Sequence, residues 1–387
     1  MESATRAGAL PRERSGAWAA SYRDLRHRAG LGIRRVVSPP LWGGLQAIRR
    51  SFTLVSARVK VPRYPGMPLL SVVMAAYNTE RYVGAALASL VSGQWPRLEI
   101  IVVDDGSTDG TASVVAEFAA SHRTPVIRLV RAPHRGPGAA RNLGAGLATG
   151  RYLAFFDSDD VADPFFYRRA VRGLTRSGSD FALGAYAILV AGRRCPPPSY
   201  IRDLHHQTRR GATLADTPLA MTNALMCTRV YRRDFYERCV APQPEGVFFE
   251  DQLVTMRGYV AATAFDVLHT PALLWRRRGT GDATTQRAGT VENLRERIAA
   301  YRAVADFLGS RGEDAIRRER LVQLLATDQL RLDQALAAQP EYLDVARQFL
   351  DWAVGEIGWE LYEARVAPAD RELHDWVARH GAAGEGR

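Results

Sequence analysis

Phe155-Phe156-Asp157-Ser158-Asp159-Asp160 ends a short apolar run in three carboxylates within four residues. A strand held in a sheet and followed by an acidic loop aims hard oxygen ligands at one point. That is a natural mouth for a divalent cation and the phosphates it carries. Asp-rich loop tips also serve as turns and helix N-caps, so the segment alone leaves both readings open. The pattern around it decides the architecture.

Upstream, strand and helix alternate. Leu69 to Ala75 reads as a continuous apolar strand, Glu80 to Ser92 as a helix and Leu98 to Val103 as a buried strand. Helix Gly110 to Ser121, strand Val126 to Val130, helix Gly138 to Thr149 and strand Arg151 to Phe156 follow. Strands apolar on both sides, each followed by a helix, imply an α/β fold: a mostly parallel, Rossmann-like sheet with helices on both faces. Beyond Asp163 a helix from Pro164 to Arg176 and a short strand at Phe181-Ala182-Leu183 lead into a Pro- and Arg-rich stretch, Gly192 to Arg210. From Val291 on, spacings such as Leu321, Leu324, Leu325, Leu332 and Leu336 predict a helical C-terminal region. The expected organisation is a leader at 1–64, a catalytic domain at 65–290 with a nucleotide and metal half (69–163) and an acceptor half (164–290), and helices at 291–387.

The chain of 387 residues carries a net charge of +11. Residues 1–64 hold twelve Arg and Lys60 against Glu2, Glu13 and Asp24, so nearly all the excess lies in that segment. Its arginines alternate with Trp18, Tyr22, Leu25, Trp42 and Phe52, a composition suited to a peripheral helix on an anionic membrane surface, or to a basic leader without order. No nucleic-acid-binding pattern accompanies the charge, so no nucleic-acid partner is expected. No run approaches the roughly 18 apolar residues of a spanning helix. Three scattered cysteines argue against a disulfide framework. The expected location is cytoplasmic, peripheral at the inner face of the membrane.

In an open parallel sheet the ligand crevice lies beyond the carboxyl ends of the strands. The first strand ends in Ala76-Tyr77-Asn78, the second in Asp104-Asp105-Gly106-Ser107-Thr108-Asp109, and both point where Asp157 to Asp160 point. A carboxylate at Asp105 can accept from a pyrimidine N–H, while Ser107 and Asp109 also suit an Asx-turn and a cap. Gly136-Pro137-Gly138-Ala139-Ala140-Arg141-Asn142 opens a helix whose Arg141 can pair with Asp157 or reach a phosphate. Glu250-Asp251 stands at a helix start, where one acid can cap and the other act as a general base. Arg276-Arg277-Arg278 suits a diphosphate leaving group, with Gly279 and Gly281 as lid hinges, though a charge run is also often just solvated.

In this order, Asn78, Asp104 to Asp109, Ala140-Arg141-Asn142 and Asp157-Ser158-Asp159-Asp160 resemble the motif series of family 2 glycosyltransferases with the GT-A fold. The resemblance runs from Leu69 to Asp163, more loosely through Glu250-Asp251 and Trp275-Arg276-Arg277, and looks like the bacterial branch tied to teichoic acids and other cell-surface polymers. It implies inverting transfer of a sugar from a nucleotide-diphosphate donor, expected to be a UDP-sugar, to a glycan or polyol-phosphate acceptor, with Mg²⁺ or Mn²⁺ as cofactor. Carried over by position, Ala76, Tyr77, Asn78 and Asp105 would line the nucleotide site and Arg141 would brace it. Asp157 would face the ribose and share the metal. Asp159 would be the chief metal ligand and Asp160 a competing one, while Arg276, Arg277 and Arg278 meet the diphosphate. Asp251 would be the base, supported by Glu250. The chain departs from the family pattern at Ala76, where a Pro is usual, and at Thr228-Arg229, where many members have Asn-Lys, which puts acceptor or donor specificity in doubt. Two rivals stay open: a sugar nucleotidyltransferase, whose lysine-anchored glycine loop is not found, and a non-catalytic module that binds nucleotide sugars or glycans as a scaffold.

Overall fold

A computed structural model describes residues 66–122, 124–278, 289–327 and 340–381. The leader at 1–64, the Gly279 and Gly281 hinges and Leu332 and Leu336 lie outside the described residues. The described residues divide into two compact units, 66–323 and 324–381.

The larger unit opens with β1 (Leu70–Ala76), α1 (Glu80–Val91), β2 (Leu98–Asp104), α2 (Thr111–Ser121), β3 (Val126–Arg131), α3 (Pro137–Gly146) and β4 (Tyr152–Asp157). It continues through β5 (Val161–Ala162), α4 (Phe166–Ser177), β6 (Phe181–Val190), β7 (Arg193–Cys195), α5 (Ser199–Leu204), β8 (Arg209–Ala212) and β9 (Arg229–Arg232). Then come α6 (Asp251–Ala261), the long β10 (Phe265–Arg277), α7 (Val291–Ser310) and α8 (Asp314–Ala326), the last crossing into the other unit. There α9 (Pro340–Ile357), α10 (Trp359–Arg365) and α11 (Pro368–Gly381) bury Tyr342, Phe349 and Tyr362, and the Tyr362 hydroxyl meets His374 Nδ1 at 2.9 Å.

The sheet runs β3-β2-β1-β4-β9-β6-β10-β5, with β7 on β6 and β8 on β10. Its first four strands pair in parallel, as the alternating pattern predicts. Successive side chains on a strand face opposite sides, so Val72, Met74, Ile100, Val102 and Phe156 join one core. Val73, Ile101, Val103, Leu153 and Phe155 join the other, which is why these strands read as unbroken apolar runs. The far half is mixed. β9 pairs antiparallel with both β4 and β6, and β6 with β10 is parallel again. The strand expected at Phe181-Ala182-Leu183 extends over ten residues because β9 and β10 both pair with it. Helix α7 belongs to the sheet unit, so the helical region expected from 291 on spans both units.

The topology places the carboxyl ends of β1, β2 and β4 side by side. Ala75 stands opposite Asp157, and Ala76 opposite Asp104. On the other flank β5 pairs with Leu273 and Leu274, which brings the end of β10 against the acidic loop.

Candidate active site

The ends of β1 and β2 are stitched together first. Asn78 adopts φ 50°, a left-handed conformation that Asn tolerates, and its Oδ1 accepts from the Thr108 N–H at 2.9 Å. Its own N–H donates to Ser107 Oγ at 3.0 Å. Asp105 is buried, and its carboxylate accepts from the Arg135 and Gly136 N–H groups, both at 2.9 Å, and meets His134 Nδ1 at 2.8 Å. Three contacts at one carboxylate make it the anchor of the 134–136 loop. The buried Ala76 offers its carbonyl to the Asp105 N–H. Tyr77 stays 42% exposed and stacks on His134 with ring centres 4.1 Å apart, an open aromatic shelf above Asp105.

Helix α3 clamps the next two pieces together. Pro137 starts it, a position where the missing N–H costs nothing. Arg141 in its first turns donates from Nη2 to Asp157 Oδ1 at 2.8 Å and from Nη1 to Glu250 Oε1. Burial works against this guanidinium's charge, but Asp157 and Glu250 outweigh it and hold its pKa above the ordinary value. Asn142 exchanges two hydrogen bonds with the backbone of Gln243, at 2.8 and 2.9 Å, and Arg135 pairs with Glu245 at 2.7 Å. Gly138 allows this approach: a Cβ there would lie 2.0 Å from the Pro244 carbonyl oxygen. The glycine-rich turn therefore serves to seat the 243–251 segment.

In the acidic loop, the Arg276 N–H donates to Asp160 Oδ1 at 2.8 Å and Arg276 Nε to the Asp159 carbonyl at 2.6 Å. Arg278 Nε pairs with Asp159 Oδ2 at 2.7 Å. Both guanidiniums lie 5.5 Å from the centre of the Tyr82 ring, and Arg277 closes the strand between them. Thus Arg276 and Arg278 brace the loop in this structure. Asp157, Asp160 and Cys227 bring ligand atoms within 4.8 Å of one another, whereas Asp159 turns to Arg278. Asp160 is 1% exposed, and among the described residues its Oδ2 has no hydrogen-bond partner. Burial, then the charges of Asp159 and Asp157, push Asp160 well above the usual carboxylate range. Burial likewise raises Asp159, against the pull of Arg278. An orphaned buried oxygen amid mutually repelling acids fits a divalent cation, with Asp157 and Asp160 as its nearest carboxylates.

Asp251 is the first residue of α6, reached through Phe249 at φ 59° and Glu250, which the Arg141 clamp holds. Burial first, then the Glu250 charge, push the Asp251 carboxyl up to about 7, against the pull of Arg141. A carboxylate poised there can take a proton at neutral pH. Thr228 and Arg229, the departure from the family pattern, are fully buried. Arg229 donates to the carbonyls of Asn223 and Leu225 and to the Tyr259 hydroxyl at 2.7 Å. It is a brace beneath the site. Sequence reasoning did not single out Cys227, Tyr82 or His134. Only His134 had a visible cue, its place just before the glycine-rich turn.

Residues 71–239 match the model of "Glycosyl transferase family 2". An uncharacterized glycosyltransferase of Haemophilus influenzae is 33% identical over 129 residues, 33% of this chain and 39% of that protein. TarS of Staphylococcus aureus, a poly(ribitol-phosphate) beta-N-acetylglucosaminyltransferase, is 27% identical over 292 residues, 73% of this chain and 49% of that protein. The crystal structure of S. aureus TarS 1-349 in complex with UDP-GlcNAc has the same fold, with a TM-score of 0.59 at 23% identity over 80% of this chain and 90% of that one. This chain spans about half the length, or less, of these curated relatives. Residues 71–239 thus form a family 2 glycosyltransferase domain within this chain.

Proposed function

We propose that this chain transfers a sugar from a nucleotide-diphosphate donor, first among them a UDP-sugar, to a hydroxyl of a cell-envelope polymer, with inversion and with Mg²⁺ or Mn²⁺. The observation that carries the reading is the Arg141 clamp. One largely buried guanidinium, 11% exposed, ties Asp157, at the cation loop, to Glu250, beside an Asp251 poised near neutrality. Base and cation loop are thereby held in register, which in-line displacement at an anomeric carbon requires.

The residues divide the work. The shelf of Tyr77 on His134 offers a face for the nucleotide base, and Asp105 and Asn78 hold that shelf and its loops in place. Asp157 and Asp160 would hold the cation, with Asp159 the third candidate ligand if Arg278 lets it go. A cation there would neutralise the charge that develops on the departing diphosphate. Arg276 and Arg278 add positive charge on the same side. Asp251 would take the proton of the acceptor hydroxyl, which leaves no covalent enzyme intermediate to explain. The relatives guide the choice of substrates: UDP-GlcNAc as first donor, a polyol-phosphate chain as first acceptor. The basic segment at 1–60 would dock the chain on the anionic inner face of the membrane.

The test is a panel of nucleotide sugars incubated with the full chain, with and without cation and acceptor, scored for release of the nucleoside diphosphate. Cation-dependent release that rises with acceptor supports transfer. Nucleotide-sugar binding by calorimetry with no release under any condition would favour a non-catalytic scaffold instead.

A further inference from the structure

We infer that Cys227 supplies a sulfur ligand to the cation site, so that Asp157, Asp160 and Cys227 together prefer borderline transition metals to Mg²⁺. This rests on the reading of the acidic loop as a cation site, and not on sugar transfer. Two observations carry it. The three residues bring ligand atoms within 4.8 Å of one another, and among the described residues the buried Asp160 keeps one oxygen without a hydrogen-bond partner. The thiol is also well placed: Cys227 Sγ donates to Asp157 Oδ2 at 3.2 Å, a contact that a shared cation would replace.

The turn that presents the thiol is built to stay still. Met226–Thr228 forms a short 3₁₀ turn, Thr228 Oγ1 donates to the Leu225 carbonyl at 2.7 Å, and the buried Arg229 grips the carbonyls of Leu225 and Asn223. Arg229 thus has a task that its burial otherwise leaves open: it fixes the backbone on either side of the thiol. Rigid support of this kind is what a preformed ligand needs. Mg²⁺ takes oxygen ligands in near-ideal octahedra, whereas sulfur favours zinc, cobalt and their neighbours. On binding, the cation forms a metal–sulfur bond, the S–H bond breaks, and the proton leaves to solvent.

The probe is CoCl₂ added to the full chain with Cys195 and Cys239 replaced by serine, which leaves Cys227 as the one thiol. A near-ultraviolet sulfur-to-cobalt charge-transfer band that saturates at one equivalent is expected. Cys227→Ser should abolish it and weaken Co²⁺ about tenfold or more, while Mg²⁺ binding changes far less. Asp160→Asn, which keeps the thiol, should weaken both cations. Thermal unfolding in metal-free buffer confirms that each variant is folded. Co²⁺ bound without the band, or a band that survives Cys227→Ser, overturns the sulfur ligand but spares the cation site. Binding unaffected by both Cys227→Ser and Asp160→Asn overturns the site itself.

Discussion

Replacing Arg141 by Met keeps most of the side chain's volume and removes the charge that joins two carboxylates. In the folded state Asp157 and Glu250 would then face each other's surroundings with no counter-charge, Glu250 at 8% exposure and Asp157 at about a third. Removing one partner of a buried pair costs about 3–5 kcal/mol, and the partial exposure of Asp157 places this case near the lower end, about 3 kcal/mol. For a unit of this size that corresponds to a fall in Tm of roughly 6–12 °C. The double variant Arg141→Met with Glu250→Gln should be less destabilised than the sum of the single ones, because it removes the charge that Arg141→Met strands. Denaturant unfolding followed by tryptophan fluorescence, together with turnover, measures both. An Arg141→Met variant within about 1 kcal/mol of the parent would refute the clamp as a stabilising element, and additive single and double effects would refute the Arg141–Glu250 coupling.

As the proposed base, Asp251 must be deprotonated to act, and burial and Glu250 push its carboxyl up to about 7. Accordingly kcat/KM should rise with pH through that region, about tenfold per unit below it, and a profile flat from about pH 5.5 to 8.5 contradicts the assignment. Gly138→Ala would set a Cβ 2.0 Å from the Pro244 oxygen, so the 243–251 segment must shift. Donor turnover should fall with it, and unchanged turnover and Tm would show that the segment moves freely. Deleting residues 1–60 should lower sedimentation with anionic liposomes while sparing turnover on soluble substrates; equal sedimentation rules out the membrane role.

The parallel half of the fold was legible because β1, β2 and β4 are buried on both faces and so read as uninterrupted apolar runs. The mixed half was not. β9 is four residues long, and β10 carries a bulge around Pro271 that breaks its pattern, so the pairing that lengthens β6 left no local mark. Within the site, Arg141 with Asp157 could be read because the helix and the strand end are neighbours in the chain. Which oxygens an acid loop turns outward is decided elsewhere: Arg278 takes Asp159, the Arg276 amide takes half of Asp160, and both lie at or just past the end of a strand more than a hundred residues later. Cys227 carries no sequence signature, and Arg229 stands out only as a departure from the family pattern, since the roles of both follow from burial beside groups distant in sequence.

The central claim is that Asp251 removes the acceptor proton beside a cation-held diphosphate. The most direct measurement is acceptor-dependent turnover of a nucleotide sugar by Asp251→Asn against the parent chain, with donor affinity followed separately by calorimetry. General-base catalysis is worth about 10²–10⁴-fold, so kcat should fall by that factor while the donor Kd stays within about threefold. Turnover at the parental level would contradict the account.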